Sequence, residues 1–232
     1  MSSSFQRIGI LGGGLLGGSI ALALGEKADV RLWFRKPEAV EAARSSGIAL
    51  FTANLAEAVA DRDLLILAVP VGAMPALLSA AIEAGLPAGC LVTDVGSVKK
   101  SVHDSLAAIL GESGNPFIGS HPMAGSERNG LQAARADLFE NAACLLTNDS
   151  GVDETLCSNL GEFWKSLGCH ISWLGAAAHD ELVARISHLP HLVAAATAKI
   201  ALSDTTSGDF GGGGLRDTTR VASGNPVMWA EI

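Results

Sequence analysis

Short apolar runs alternate with amphipathic stretches along most of the chain. RIGIL (7–11), VRLWF (30–34), DLLILAVP (63–70) and CLVTDVG (90–96) have strand length and strand composition. Their apolar positions do not alternate with polar ones, so each reads as a strand buried on both faces. Segments such as GAMPALLSAAIEAG (72–85) lie between them with helical spacing. Buried strands separated by helices imply a parallel sheet with right-handed crossovers, the doubly wound α/β class. ACLLTND (143–149) and CHISWLG (169–175) predict two later strands that flank the helix DETLCSNLGEFWKSLG (153–168).

The pattern changes at Ala176. AAAHDELVARISHLPHLVAAATAKIALSD (176–204) is long, alanine-rich and helical, with Pro190 as its one interruption and a kink expected there. DFGGGGLRDTTRVASGNP (209–226) follows as a flexible glycine run leading into a polar, cationic segment, and VMWAEI opens a further helix without a stop signal. The expected organisation is a dinucleotide-binding domain over residues 1–175 and the first part of an all-helical domain over 176–232, continuing past Ile232.

Composition narrows the partners. A formal charge of −8 over 232 residues, with no basic run, argues against nucleic acid. Cys90, Cys144, Cys157 and Cys169 are too scattered for a disulfide framework or a zinc set and read as reduced core residues. MSSSFQRIGI has neither the charged nor the apolar region of a secretion signal, and no apolar run is long enough to span a bilayer. The expectation is a cytoplasmic protein without a membrane partner.

The first chemistry-bearing pattern is Gly12-x-Gly14-x-x-Gly17, which directly follows the first strand and opens an apolar helix. Such glycines permit a tight turn, close approach of backbone to a pyrophosphate, and close helix–strand packing, while helix-start N–H groups face the phosphates. A ligand with a bare ribose 2′-hydroxyl would want an acidic residue at the end of the second strand. That place falls on Phe34, followed by Arg35 and Lys36, which suits a 2′-phosphate and favours NADP over NAD.

Further polar groups gather near the ends of later elements. Gly96-Ser97 puts a hydroxyl at the carboxyl edge of the sheet, where ligands of such folds bind. GSHPMAGSERNG (119–130) reads as a stiff polar loop around His121. His188 and His191, three apart, share one helix face, and no Cys, Asp or Glu nearby completes a metal set with them. LRDTTR (215–220) supplies Arg216, Asp217 and Arg220.

Taken in order, the glycine loop, Asp94-x-Gly96-Ser97-x-Lys99, Gly119-x-His121-Pro122-x-Ala124-Gly125-x-Glu127, Ser187-His188-Leu189-Pro190-His191 and Arg216-Asp217-Thr218-Thr219-Arg220 resemble the prephenate/arogenate dehydrogenase family of tyrosine biosynthesis. The resemblance implies an oxidative decarboxylation of prephenate or arogenate to 4-hydroxyphenylpyruvate or tyrosine, with hydride passing to NADP or NAD, in a protein that dimerises through its helical domain. It implies His121 as acceptor of the substrate hydroxyl proton and Ser97 as its orienting partner. Arg220 would grip a substrate carboxylate, with His188, His191, Glu127 and Ser126 lining the substrate and Asp217 behind them. Gly12, Gly14, Leu15, Leu16, Gly17, Arg35, Lys36, Val69 and Pro70 would hold the cofactor. His103, His170 and His179 are left as structural or solvated.

Two other readings compete. A 3-hydroxyacid-type dehydrogenase shares the glycine loop but needs a lysine on the long helix, where this chain has Ser-His-Leu-Pro-His and only a later Lys199. A non-catalytic NADP-sensing module would have no use for the hydroxyl, imidazole and guanidinium together.

Overall fold

The computed structural model describes residues 5–43, 51–125, 130–204, 206–223 and 229. Its strands are β1 (Arg7–Leu11), β2 (Asp29–Trp33), β3 (Phe51–Thr52), β4 (Leu64–Leu67), β5 (Leu91–Asp94), β6 (Gly119–Pro122), β7 (Ala143–Thr147) and β8 (His170–Leu174). The helices that bear on the site are α1 (Leu15–Leu24), α2 (Pro37–Ala43), α3 (Leu55–Val59), α4 (Met74–Glu83), α5 (Lys100–Ser113), α6 (Glu154–Ser166), α7 (Ala176–Val183), α8 (Leu189–Ala201) and α9 (Gly213–Thr219).

Five strands form a parallel sheet in the order β3-β2-β1-β4-β5. Alternate residues of its strands feed two separate cores. Ile8, Ile10, Leu32, Leu64 and Ile66 join a core that also holds Ile20, Phe163 and Trp164. Leu11, Leu65, Leu67 and Val92 join another with Met74, Leu78, Val102 and Leu106. Both faces are therefore covered, the reason that these strands read as unbroken apolar runs. The doubly wound α/β class expected from the pattern is what the chain adopts.

The later strands form a sheet of their own. β6, β7 and β8 make a second, three-stranded sheet in which β6 runs antiparallel to β7 and β7 parallel to β8. The two sheets meet where Phe117 bridges Val92 of β5. GSHP is thus a strand, not the loop its glycine and proline suggest. Its pairing comes from β7, with His121 opposite Leu145 and Pro122 opposite Cys144. All four residues of β6 are buried.

The chain divides into two compact units, Met1–His179 and Asp180–Ile232, so the division falls inside α7. In the second unit Pro190 produces no simple kink. Residues Ala184–His188 widen into a π-type turn, and α8 starts with Pro190 in its first turn. A proline without an N–H, whose ring crowds the carbonyl four residues back, is accommodated by loosening the helix just before it. The glycine run is likewise not all flexible, because α9 begins within it at Gly213. Ile186, Leu192, Ile200 and Phe210 are exposed, Phe210 at 88% and Ile200 at 75%.

All four cysteines are free, and Cys90, Cys144 and Cys169 are buried. Burial pushes the Cys90 thiol up to about 12 and raises that of Cys144 as well, which leaves both as inert packing groups. No helix among the described residues is long and apolar enough to cross a membrane.

Candidate active site

The glycine loop sits at the carboxyl ends of β1 and β4, where crossovers leave the sheet in opposite directions and such folds bind their ligands. Gly12 has φ +121°, and a Cβ there would stand 2.2 Å from the Ala68 carbonyl oxygen. The turn therefore lies against the end of β4, beside Val69 and just before the exposed Pro70. A Cβ on Gly17 would collide with the Gly12 carbonyl at 2.0 Å, so α1 packs directly on the turn. Gly14 differs: an added Cβ would meet nothing within 4 Å. Among the described residues nothing crowds that position, which leaves room for a ligand to approach the backbone from outside. Gly14 caps α1 without a side-chain bond, and the first turn carries no acidic residue. The cradle fits a dinucleotide phosphate.

Phe34 closes the back of this loop. Its ring occupies the place of a Gly13 Cβ, at 2.0 Å, and packs against Phe51 with centroids 5.9 Å apart. Arg35 and Lys36 follow it on the surface, ahead of α2. Leu15 and Leu16 lead α1 away from the turn.

A buried polar network joins β5 to β6. Asp94 and Lys99 are both fully buried and form an ion pair. Asp94 Oδ2 accepts from the Gly96 N–H at 2.8 Å, and Oδ1 accepts from the Ser120 N–H at 3.2 Å. One carboxylate thus holds the residue before Ser97 and the residue before His121. Lys99 Nζ donates to the Ser120 carbonyl at 2.8 Å, and Trp164 Nε1 donates to the Ser120 hydroxyl at 3.0 Å. That hydroxyl also bonds Thr93 Oγ1 at 2.7 Å, and Thr93 donates to the Ile118 carbonyl. Nearby, His103 Nε2 bonds Thr147 Oγ1 at 2.9 Å, and burial holds its imidazole below the usual histidine range.

His121 is 8% exposed, and its Nδ1 lies 2.9 Å from Nε2 of the fully buried His179. The rings are tilted 56° with centroids 5.1 Å apart. His179 owes its place to the start of α7. Asp149 Oδ1 accepts from the Ala176 N–H at 2.9 Å, and the His179 N–H donates to the Gly175 carbonyl. AAAHDEL reads as an ordinary helix face, so the partnership of His179 with His121 was not foreseen. Asp149 lies 27 residues before the helix start it holds, so no local pattern signals the contact.

An open cavity of about 590 Å³ next to β6 is lined by Met123, Ala124, Gly125, Gln132, Arg135 and Asn141, among others. Ser126 and Glu127 lie outside the described residues.

Within the second unit, His191 Nδ1 lies 2.9 Å from the Ser187 carbonyl. A carbonyl only accepts, so Nδ1 carries a proton and donates it to Ser187. Trp229 covers both histidines, tilted over His191 at 4.4 Å and edge-on to His188 at 6.0 Å between centroids. The grouping of the two histidines on one face is as the spacing predicts, while Trp229 is an addition to it. Arg220 starts the turn Arg220–Ser223 after α9, on the surface, and Arg216 and Asp217 are exposed on α9 itself. Among the described residues no three His, Cys, Asp or Glu side chains are grouped to hold a metal.

Comparison with known proteins matches this arrangement to two family models. Residues 20–173 match the nucleotide-binding domain of prephenate dehydrogenase, and residues 175–232 match its dimerization domain. The chain belongs to the prephenate dehydrogenase family. Among its relatives is a prephenate dehydrogenase of Bacillus subtilis, 33% identical over 240 residues, covering 100% of this chain and 64% of the relative. A cyclohexadienyl dehydrogenase of Zymomonas mobilis is 32% identical over 237 residues, covering 98% of this chain and 80% of that protein. The crystal structure of the A. aeolicus prephenate dehydrogenase, in complex with hydroxyphenyl propionate and NAD+, superposes with a TM-score of 0.87. It is 29% identical, over 100% of this chain and 82% of its own. The chain thus spans just under two thirds of the length of the Bacillus relative.

Proposed function

We propose that this chain carries the catalytic apparatus of an NADP-preferring dehydrogenase that oxidatively decarboxylates prephenate or arogenate. The observation that carries the reading is Asp94, whose two oxygens hold the segments of Ser97 and His121 together at the carboxyl edge of the sheet. A hydroxyl and an imidazole are then fixed on the side of the molecule where the glycine loop would deliver a nicotinamide. Preorganisation of this kind is what the chemistry demands, because aromatisation of the ring already supplies the driving force.

His121 takes the proton of the substrate hydroxyl at Nε2, its Nδ1 being turned to His179. Bound nicotinamide supplies the hydride acceptor for the carbon that bears this hydroxyl. As carbon dioxide leaves, the electrons of its bond enter the ring, and His121 returns the proton to the phenolate oxygen. No proton is released overall. Ser97 hydrogen-bonds the same hydroxyl. The family resemblance supports Arg220 as a two-pronged grip on a substrate carboxylate, and His188, His191, Ser126 and Glu127 as further substrate contacts. Gly12, Gly14, Leu15, Leu16 and Gly17 hold the pyrophosphate, and Val69 and Pro70 border it.

Exposed Arg35 and Lys36 beyond an apolar Phe34 support the preference for NADP. The exposed apolar residues of the second unit support a homodimer. Initial rates with prephenate and with arogenate, each with NADP and NAD, test the assignment in wild type and His121→Asn. Wild type turns over with NADP favoured, and His121→Asn binds cofactor normally but loses roughly 10²–10⁴ in turnover, the loss expected for a general base. Near-normal turnover in the variant removes His121 from the chemistry.

A further inference from the structure

We infer that His179 is a positioning residue for the base His121, and that the two imidazoles act as one unit sharing a single proton between Nδ1 of His121 and Nε2 of His179. The inference rests on the assignment of His121 as the base. Its geometry is direct. The two nitrogens are 2.9 Å apart, both rings are buried, and an N···N contact of this length holds one hydrogen and only one. Protonation of both rings at once would set two cations against each other with no hydrogen bond between them, so the pair carries at most one positive charge.

With the shared proton on His121 Nδ1, that ring is in the tautomer whose Nε2 carries the lone pair. When Nε2 takes the substrate proton, the O–H bond breaks, an N–H bond forms, and the positive charge is stabilised by the neutral His179 Nε2 already accepting from Nδ1. The same proton returns as the phenol forms, so no other donor or acceptor is required. A neutral imidazole in this place does what a carboxylate does behind other catalytic histidines, without adding a negative charge beside a substrate that itself carries carboxylates.

The scaffold is built to keep the pair together. Asp94 and Lys99 fix Ser120 from β5 and from the start of α5, and Asp149 fixes the start of α7. The elements that carry and support the pair hold further titratable groups. Asp94 and Lys99 neutralise each other. His103 on α5 is held neutral by burial. Cys144 on β7 lies opposite Pro122 with its thiol pushed up by burial, and Cys169 just before β8 bonds to it. Asp149 is engaged by the Ala176 N–H, and Asp180 follows His179 on α7.

The test compares His179→Ala and His179→Gln with wild type and His121→Asn, using full pH profiles of kcat and kcat/KM. His179→Ala leaves the NADP dissociation constant unchanged and lowers kcat about 10–100-fold, the scale of losing a group that orients a reacting histidine. Its acid limb moves to lower pH, because the imidazolium has lost its acceptor. His179→Gln, whose amide oxygen still accepts from Nδ1, recovers most of the rate and of the limb. Long-range ¹H–¹⁵N correlations of the wild-type histidines read the tautomer directly and remain decisive if the alanine variant fails to fold. They show the proton on His121 Nδ1. An unmoved acid limb in a folded His179→Ala protein, or a His121 protonated on Nε2 in the resting enzyme, overturns the inference. Loss of turnover in His121→Asn alongside an intact His179→Ala discards this inference and keeps the base. Retained turnover in His121→Asn discards the base assignment itself.

Discussion

The molecule holds its two histidine pairs in opposite ways. His121 and His179 are buried and bonded to each other; the strand of the first is tied to the buried Asp94, and the helix start of the second is bonded to Asp149. His188 and His191 ride on a helix whose neighbouring apolar side chains Leu189, Leu192 and Val193 are exposed, with Trp229 as their cover. The first pair is finished by its own unit. The second stands on a helix that exposes apolar side chains, the kind of surface on which the proposed homodimer would pack. In the proposed reaction the group that moves a proton is the buried one, and the groups assigned to substrate recognition are set on a helix with an exposed apolar face.

Three measurements press on this contrast. The largest effect is expected at Lys99. Lys99→Met leaves Asp94 buried without its cation, which costs about 3–5 kcal/mol of stability, whereas Lys199→Met on the exposed face of α8 stays within about 0.5 kcal/mol. Urea unfolding of the two variants measures both, and equal losses would mean that the network adds no rigidity to the first unit. Next comes the apolar surface. Leu192→Glu, at a site 68% exposed, should weaken self-association by roughly 10²–10⁴-fold, since each of two copies loses the burial of one leucine, about 1.5–3 kcal/mol. Light scattering across a concentration series reads this, and a wild-type protein that is monomeric at all concentrations removes the surface from any self-interface.

The smallest effect concerns His103. Its folded form resists protonation because of burial, while the unfolded chain protonates normally. The unfolded state therefore binds more protons below about pH 6.5, and stability falls as pH drops through that value toward the depressed folded one. The slope attributable to one group is at most about 1.4 kcal/mol per pH unit. Wild type should lose stability between pH 7 and 5 faster than His103→Gln, and parallel curves would show that the buried imidazole is not what limits acid stability.

Much of the first unit was legible because burial on both faces leaves a plain mark. RIGIL and LLIL can be little other than central strands. GSHP was misread for a physical reason: glycine and proline are turn residues by local preference, and the strand exists through β7 and through bonds from Asp94 and Lys99, far away along the chain. His179 was missed for the same reason. Its significance depends on a helix start held by Asp149, and no local spacing encodes that. His188 and His191 were legible because three residues along a helix is itself local geometry, although the π-type turn before Pro190 was not.

The ring of Phe34 has a consequence for anyone wishing to redirect the enzyme between nucleotides. In many folds of this kind the obvious change is a carboxylate at the end of the second strand. Here that position is a wedge: its ring fills the space against Gly13 and leans on Phe51. Replacing it with aspartate would remove the support behind the phosphate turn while adding the ribose contact, so selectivity and loop shape would change together. Arg35 and Lys36 are exposed beyond the wedge, so the proposed role of these two cations in nucleotide preference can be tested by substitution with the Phe34 packing left intact.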